Sequence, residues 1–427
     1  MRFPGTRVAK YYFPVTEKKT HVAPLPEEAE ARRWYVTGLD EVLVDLEVHG
    51  CTYDFVTSLG LVPGESVNLA ADQMRRLLER VAASGHEWRY AAGGTVANTL
   101  ANFTHLSGEP AVLLGSIETT IRPGSPAFAY VAQTPKALSL EHLLALEGDT
   151  GLAVTCFTPD GERSFGVAPG VSGQYPADAV PEAVVRESAI ALASLYPLAN
   201  AARPIAAATI RFLELARSAN VPVAFGLGTA GLVRRMRREL IEILEAFVTV
   251  ASLNVHEAEA LTGESDALLA SRKLLEWVDV ALVTEGAYGL TLAGYTEAQV
   301  ARETREALRS GVIADYNRHE FSRLVRRADC EQPLQVFTHA DPYRGGPDRL
   351  ANTSGAGDAA LAALLHDMAA NRYHRASVPD SDKHAAAVPF LTYSSASRNA
   401  QYANRVAYEV LRNRSPRLEG PVGSDEE

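Results

Sequence analysis

The chain of 427 residues has a formal net charge of −11, with 47% hydrophobic and 22% charged residues. This composition is typical of a globular protein with enough apolar residues for a large core. The acidic balance argues against sequence-independent binding of nucleic acid, which needs clustered Lys and Arg. No stretch approaches the roughly 20 consecutive apolar residues of a membrane span.

The three cysteines, Cys51, Cys156 and Cys330, lie far apart in the sequence. Their spacing predicts neither a disulfide framework nor a zinc site and suits a reducing compartment. The basic residues near the N-terminus are not followed by a continuous apolar run, so the sequence does not predict a secretory signal. We therefore expect a cytoplasmic protein that binds neither a nucleic acid polymer nor a membrane.

Residues 1–33 are rich in Pro and charge and predict an N-terminal arm, whereas residues 34–412 read as one large α/β domain, followed by a tail over 413–427. Strands are predicted at 34–39, 110–117, 189–195, 221–227, 247–253 and 280–286. Helical periodicity predicts helices at 67–84, 95–106, 204–219 and 232–247. Continuous apolar strands that alternate with helices indicate a mostly parallel sheet covered on both faces.

Two stretches alternate apolar and polar residues instead, at 42–48 and around the Asp-Gly turn inside 151–168. Asp-Gly between alternating runs predicts a β-hairpin, and alternation predicts a sheet with one wet face. We expect a small second sheet, a lid built from about 42–60 and 151–170. The alternative is an edge hairpin of the main sheet.

A long polar stretch follows the last predicted strand, over residues 291–350. Its segment "TEAQVARETREALRSG", residues 296–311, has the composition of a helix. We interpret the whole stretch as an insertion into the α/β domain.

The segment "NTSGAGD" contains a glycine turn, Gly355, Ala356 and Gly357, that leads into an apolar helix. Backbone amides in such a turn, together with the helix dipole, form a site for negative charge. Asp358, the next residue, would repel a resting anion. It fits a general base that takes a proton from a hydroxyl beside a bound phosphate. The alternative is a helix cap, because Asp is common near helix starts.

Three further segments offer backbone or side-chain groups after predicted strands. Gly93 and Gly94 precede a helix that carries Asn98, a junction that suits close approach of a substrate. Asn254 and Glu257 lie one helical turn apart and could hold Mg²⁺ through water, or form a capping box, or do both. A third turn after a strand contains Thr284, Gly286 and Gly289 and could approach a nucleotide.

In order and type, these segments resemble the ribokinase-like (PfkB) carbohydrate and nucleoside kinases over about residues 34–412. The resemblance rests on "AGGTVAN", the N-x-x-E pair, the T-x-G-x-x-G turn and "NTSGAGD". Within that family, "YFPV", "EAEALTGESDALLAS", "ALAALLHDM" and "SPRL" are similar to bacterial kinases of inosine and guanosine. The resemblance implies a three-layer αβα fold with a mostly parallel central sheet and a small β lid.

The resemblance also implies roles for individual residues. The anion hole corresponds to Gly355, Ala356 and Gly357, and the catalytic base to Asp358. The ribose contacts correspond to Gly93, Gly94, Asn98 and an acid of the first lid segment, for which Asp45 is the best match and Asp40 a competitor. The phosphate, Mg²⁺ and nucleotide contacts correspond to Asn254, Glu257, Thr284, Gly286, Gly289 and Asn404.

The sequence departs from the family in two places. Many relatives begin the D-T-x-G-A-G-D run with Asp, whereas this chain has Asn352. K⁺ binds near that position in relatives. Because the Asp is replaced here, the resemblance does not imply K⁺, and we keep it only as a candidate cation beside Mg²⁺. Residues 115–130 stand in place of the usual glycine segment after the third strand. The resemblance therefore does not predict that part of the substrate pocket.

The resemblance, together with Asp358 beside the glycine turn, implies an ATP- and Mg²⁺-dependent kinase that phosphorylates the 5′-hydroxyl of guanosine or inosine. Phe157 and Phe165, which flank the Asp-Gly turn, either cover the purine or pack into the lid's own core. The alternatives are a kinase of another nucleoside such as adenosine, a kinase of a sugar such as ribose, and a nucleoside-binding regulator without activity. A dinucleotide-dependent oxidoreductase is disfavoured because no GxGxxG follows the first strand. The sequence does not give the oligomeric state, and a homodimer is kept as a candidate assembly.

Overall fold

The structure, a computed structural model, describes residues 35–64, 66–159, 163–384 and 388–419, so the predicted N-terminal arm lies outside the described residues. In chain order, the strands β1 to β17 are Val36–Leu39, Leu43–His49, Ser66–Asn68, Trp88–Ala92, Ala111–Glu118, Leu138–Ser139, Leu143–Leu146, Gly151–Phe157, Arg163–Ala168, Ile190–Ser194, Val223–Gly226, Val250–Asn254, Val280–Thr284, Leu290–Glu297, Arg323–Val325, Pro333–Ala340 and Phe390–Ser395. The helices α1 to α12 are Tyr53–Ser58, Ala71–Ala83, Thr95–Ser107, Pro126–Ala132, Glu182–Glu187, Pro204–Ser218, Ala230–Arg235, Arg237–Phe247, Val255–Thr262, Ala267–Leu274, Ala356–Ser377 and Ala396–Arg412.

The main sheet has twelve strands in the order β17-β15-β14-β13-β12-β11-β10-β1-β5-β6, with β16 added to β14 and β7 to β5. Neighbours from β5 to β13 run parallel, and β14 starts an antiparallel edge. The six strands predicted from apolar runs are all in this sheet. Because successive side chains of a strand point to opposite faces, those runs bury both faces.

Helices cover the sheet on both sides, as the two large apolar clusters show. One cluster joins α3, α11 and α12 to residues such as Ile190 and Leu282. The other joins α6 to α10 to the alternate residues of the same strands, such as Ala191 and Val283. This three-layer α/β arrangement confirms the expected fold class.

The predicted lid is a separate five-stranded sheet in the order β3-β9-β8-β2-β4. Val44, Leu46 and Val48 of β2 are buried in the same cluster as Met74 and Leu77 of α2, so one face of the lid packs on a helix. The alternate residues of β2 therefore point to the other face. The second sheet is confirmed, and the alternative of an edge hairpin of the main sheet is wrong.

The predicted helix at 296–311 is wrong. Residues Thr296 and Glu297 end β14, a short 3-10 turn follows at Ala298–Val300, and no α-helix forms over 301–322. Thr296 and Glu297 pair with β16. Further along, the backbone amides of Arg302, Thr304 and Leu308 donate to residues between 317 and 322 rather than within a helical turn, so tertiary contacts override the local helix propensity. The stretch 291–350 thus adds strands to the main sheet rather than a helical appendage.

Two predicted helices differ in their bounds. The helix predicted at 67–84 begins only at Ala71, because residues 66–68 form β3 against β9. The helix predicted at 232–247 is two helices, α7 and α8, joined at Met236, which is not helical in its backbone angles. In the described part of the chain, no helix is both long and apolar enough to cross a membrane.

Candidate active site

The glycine turn at 355–357 lies where the sequence predicted it, at the start of the 22-residue helix α11. Gly355 has a φ of 82°, and a Cβ there would lie 2.5 Å from the carbonyl oxygen of Pro416. A Cβ on Gly357, by contrast, would meet no atom within 4 Å. The first glycine is therefore required by the chain's own packing, whereas the space beside Gly357 is open to a ligand.

Asp358 lies in the first turn of α11, half-buried on the wall of a cavity of about 670 Å³. Burial raises its pKa to about 7. The nearby carboxylates of Asp40 and Asp45 raise it as well, whereas a hydrogen bond from Asn98 and the charge of Arg417 oppose the shift. A carboxyl group with a pKa near neutrality is suited to accept a proton during a reaction. The N-cap residue of α11 is Gly355, and Asp358 follows it in the first turn.

Asp45 lies on the face of the lid sheet opposite the packed helix, and its carboxylate lies directly over Gly93. A Cβ on Gly93 would lie 2.5 Å from Asp45 Oδ2, so glycine is needed where β4 ends. Burial raises the pKa of Asp45 to about 7, and Glu47 raises it further. Gly94, with a φ of 88°, precedes α3, whose buried Asn98 reaches Asp358. The four predicted nucleoside contacts of this segment thus meet beside the candidate base.

Asp40, the competing acid, is placed differently. It is only 3% exposed. Its oxygens accept hydrogen bonds from the amides of Glu41 and Val96 and from the Ser194 hydroxyl. These protein partners give Asp40 a structural task at the start of α3, and they leave Asp45 as the acid with room for a ligand.

Arg417 also belongs to this site, although sequence analysis did not single it out. Its Nε donates to Asn98 Oδ1 at 3.0 Å, and its guanidinium lies 5.7 Å from the ring centre of the buried Tyr130. Arg417 is itself 7% exposed. The segment is held by Asn102, whose side chain bonds Pro416 and Leu418. A single Arg in a polar tail has no periodic signal, and only the "SPRL" resemblance pointed to this segment.

The cavity beside Asp358 is lined by the predicted nucleotide contacts. Asn254 ends β12 and Glu257 lies in the first turn of α9, while Thr284 ends β13 and Asn404 lies on α12. Gly286 and Gly289 have φ values of 59° and 93°, and a Cβ on Gly289 would collide with the Ala340 carbonyl. Asn404 donates to the Ala340 carbonyl at 3.4 Å. The structure therefore brings together, around one cleft, residues from four distant parts of the chain.

Asn254 and Glu257 form the capping box that the sequence offered as an alternative. Asn254 Oδ1 accepts from the amide of Glu257 at 3.0 Å, and Glu257 Oε2 accepts from the amide of Asn254 at 3.1 Å. Burial raises the pKa of Glu257 to about 7, and Asp358 raises it too. A carboxyl group that burial makes costly to ionise favours a nearby cation.

The described residues fit a hydrated Mg²⁺ better than a directly coordinated one. No group of three or more His, Cys, Asp or Glu in the described ranges could hold a metal ion. Glu257 and Asp358 nevertheless line the same cavity, and Mg²⁺ usually keeps several waters beside one or two carboxylates. Asn352, where many relatives have Asp, bonds Arg414 and the Ser354 amide.

The two aromatic residues of the lid hairpin share a face with Asp45. Phe157 pairs with His49 and Thr155 with Glu47 in the parallel register of β2 and β8, and Phe165 pairs with Thr155. Directly paired residues point to the same side of a sheet. Phe157 stacks on His49 with ring centres 4.8 Å apart.

Comparison with known proteins agrees with this geometry. Over 419 residues the chain is 41% identical to guanosine-inosine kinase of Escherichia coli K12, covering 98% of this chain and 96% of that protein. The guanosine-inosine kinase of Escherichia coli O157:H7 matches with the same identity and coverage. No protein-family model matches the sequence.

Solved structures show the same fold at low identity. A probable sugar kinase from Rhizobium etli CFN 42 has a TM-score of 0.67 and 16% identity, with 92% of this chain and 97% of that chain covered. Adenosine kinase from Sinorhizobium meliloti has a TM-score of 0.65 and 20% identity, with 91% and 97% covered. These likenesses show the ribokinase-like architecture.

Proposed function

The chain belongs to the guanosine-inosine kinase family, and on that premise we propose that it transfers the γ-phosphate of ATP to the 5′-hydroxyl of guanosine or inosine, giving GMP or IMP. It is an ATP-dependent nucleoside kinase. The observation that carries the proposal is the position of Asp358, whose carboxyl group lies between the glycine turn and Asn98.

In this proposal Asp358 accepts the proton of the 5′-hydroxyl as its oxygen bonds to the γ-phosphorus, and the bond to the ADP oxygen breaks. The amides of Gly355, Ala356 and Gly357, with the dipole of α11, stabilise the negative charge on the transferring group. Phosphoryl transfer needs positioning and charge neutralisation more than covalent chemistry from the protein.

The nucleoside lies between the lid and the main domain. Asp45 accepts hydrogen bonds from the ribose hydroxyls, and the side-chain amide of Asn98 donates to them. Gly93, which has no side chain, lets the sugar approach the backbone. Phe157 and Phe165 cover the purine, because they share the face of Asp45. Closing the lid excludes water, which would otherwise accept the phosphate.

ATP lies in the cavity lined by Thr284, Gly286, Gly289 and Asn404. Asn254 and Glu257 would hold a hydrated Mg²⁺, which would supply neutralisation of phosphate charge when bound with ATP. The raised pKa of Glu257 supports this role, because a cation would favour its ionised form.

A panel of acceptors tests the proposal: ADP release from ATP is measured with guanosine, inosine, adenosine, cytidine and ribose. We expect guanosine and inosine to exceed adenosine in kcat/KM by at least about tenfold, a difference of about 1.4 kcal/mol. A preference for adenosine or ribose would replace the purine assignment by another kinase of this fold. No turnover with any acceptor would favour the non-catalytic regulator.

A further inference from the structure

A second cavity, of about 620 Å³, opens between the antiparallel edge of the main sheet and the start of α12. Its lining residues come from the loops after β14 and α11, from β15 and β17, and from the first turn of α12: Val300, Arg302, Phe321, Arg323, Asp382, Lys383, Phe390, Tyr393, Ser394, Ser395 and Arg398. None of these residues lines the cleft that contains Asp358. The cavity has no part in the reaction described above.

The lining is strongly basic, with four cationic side chains and one acid, in a chain whose net charge is −11. Arg302 and Arg398 are exposed at the rim, and neither forms an ion pair within the part of the chain that the structure describes. An exposed arginine is ordinarily solvated, so the informative observation is that four cations surround one cavity.

Arg323 fixes the floor of the cavity. Its guanidinium donates to the carbonyls of Thr392 and Lys383, both at 2.8 Å, and to Asn371. It also lies 4.0 Å from the ring centre of Phe390. The hydrogen-bond partners of Arg323 are neutral, although the carboxylate of Asp367 also acts on its charge. An anion in the cavity would meet a preorganised cation.

The electrostatics of the neighbouring groups agree with an excess of positive charge. Burial lowers the pKa of Lys383 to about 8, and Arg323, Arg398 and Arg302 lower it further, opposed by Asp367. Burial likewise lowers the pKa of His384 to about 4, with Arg323 and Lys383 among the cations that contribute. Asp367 is already engaged by the amides of Tyr393 and Ser394. Asp367 therefore offsets part of the positive charge, and Asp382 is the one acid among the lining residues.

Aromatic rings form the remaining walls. The ring of Phe321 is 45% exposed, Phe390 packs under Arg323, and the Lys383 ammonium lies 3.4 Å from the ring centre of Tyr393. Cations beside aromatic faces suit a ligand that combines negative charge with a flat or apolar part. Ser395, the N-cap residue of α12, also lines the cavity.

We propose that this basic cavity binds a small anion carrying two or more phosphate groups. Guanidinium groups match phosphate oxygens in geometry, and several cations around one cavity favour several negative charges over a single carboxylate. A free polyphosphate and a nucleoside polyphosphate share this chemistry. The inference does not depend on the reaction proposed for the other cleft.

The test is calorimetric titration with tripolyphosphate of the full chain, of the variant Arg302→Gln/Arg398→Gln, and of the control Arg234→Gln/Arg235→Gln. The control removes two exposed arginines that line neither cavity, so the change in net charge is matched. Arg323 is left intact because it ties β15 to β17. We expect the cavity variant to lose one binding event or to weaken it at least about tenfold, and the control to keep it.

Equal titrations for both double variants would overturn the proposal, because binding would then reflect overall charge or the other cleft. The absence of saturable binding to the unmodified chain would overturn it as well. A comparison of ADP with pyrophosphate, run on both double variants, separates the two sources. A nucleoside polyphosphate site binds ADP more tightly than pyrophosphate, and a free polyphosphate site does not.

Discussion

Asp358 concentrates the chemistry of the proposed reaction in one side chain. Replacing it by Asn keeps the size and removes the proton acceptor, so kcat should fall by about 10²–10⁴-fold while nucleoside affinity is retained. Steady-state kinetics with guanosine, together with a binding titration, measure both quantities. A helix cap predicts otherwise, because Asn caps as well as Asp. A loss of kcat below about threefold, with a melting temperature that has not fallen, would contradict the assignment.

Asp45 and Asp40 differ in their hydrogen-bond partners, so we expect their alanine variants to have different effects. Asp45→Ala should raise KM for guanosine sharply and leave KM for ATP nearly unchanged, since its carboxylate faces the substrate side over Gly93. Asp40→Ala should instead lower the melting temperature, since three protein donors would lose their acceptor. The reverse pattern in these two measurements would move the ribose contact to Asp40.

Arg417 should act on the proton acceptor through its charge. It lowers the pKa of Asp358, so Arg417→Gln should raise that pKa and shift the acidic limb of the kcat/KM profile to higher pH. Arg417→Lys keeps a positive charge and should restore the limb in part. A purely structural role predicts a lower rate with an unmoved pH profile in both variants.

The lid is the element whose motion the proposal requires. Its sheet packs on α2, while its other face carries Asp45, Phe157 and Phe165. Adding guanosine should slow amide hydrogen exchange in β8 and β9 by stabilising the closed lid. The core strands β10 and β11 serve as the internal reference. Unchanged exchange in the lid at a saturating guanosine concentration would count against closure.

Across the whole molecule, four buried or half-buried acids share one electrostatic environment. The pKa values of Asp40, Asp45, Glu257 and Asp358 are each raised to about 7, in every case first by burial. An acid whose pKa is raised on folding stabilises the fold fully below its unfolded pKa near 4. That contribution is lost as pH rises through about 7.

The ligand-free protein should therefore melt at a lower temperature at pH 8 than at pH 6. In Asp358→Asn the difference between the two pH values should shrink by on the order of 1–3 °C, because one of the four acids no longer ionises. Thermal unfolding at both pH values measures this. Glu239→Gln, at an exposed helix position, is the matched control and should keep the full difference. If the difference in melting temperature between pH 6 and pH 8 is the same in both variants, groups other than Asp358 set the pH dependence.

The sequence by itself determined the parallel core, the lid and the glycine turns. Apolar runs such as 189–195 and 280–286 can only be buried on both faces, and the alternation at 42–48 can only be half-buried. The chain order of the turns at 93–94, 254–257 and 355–358 was enough to indicate the family and the proposed roles. These signals are local, since each depends on the spacing of a few neighbouring residues.

Tertiary structure decided the rest, because those features depend on residues far apart in the chain. Residues 296–311 have a helical composition, yet the first two pair with β16 and the amides of Thr304 and Leu308 donate to Arg318 and Asn317. The sequence does not distinguish Asp45 from Asp40. In the structure, the Val96 amide and the Ser194 hydroxyl donate to Asp40. Arg417 bonds Asn98, which lies 319 residues away in the sequence. A local sequence pattern cannot predict such a contact. Burial and long-range pairing, which no short segment encodes alone, placed the charges of this site.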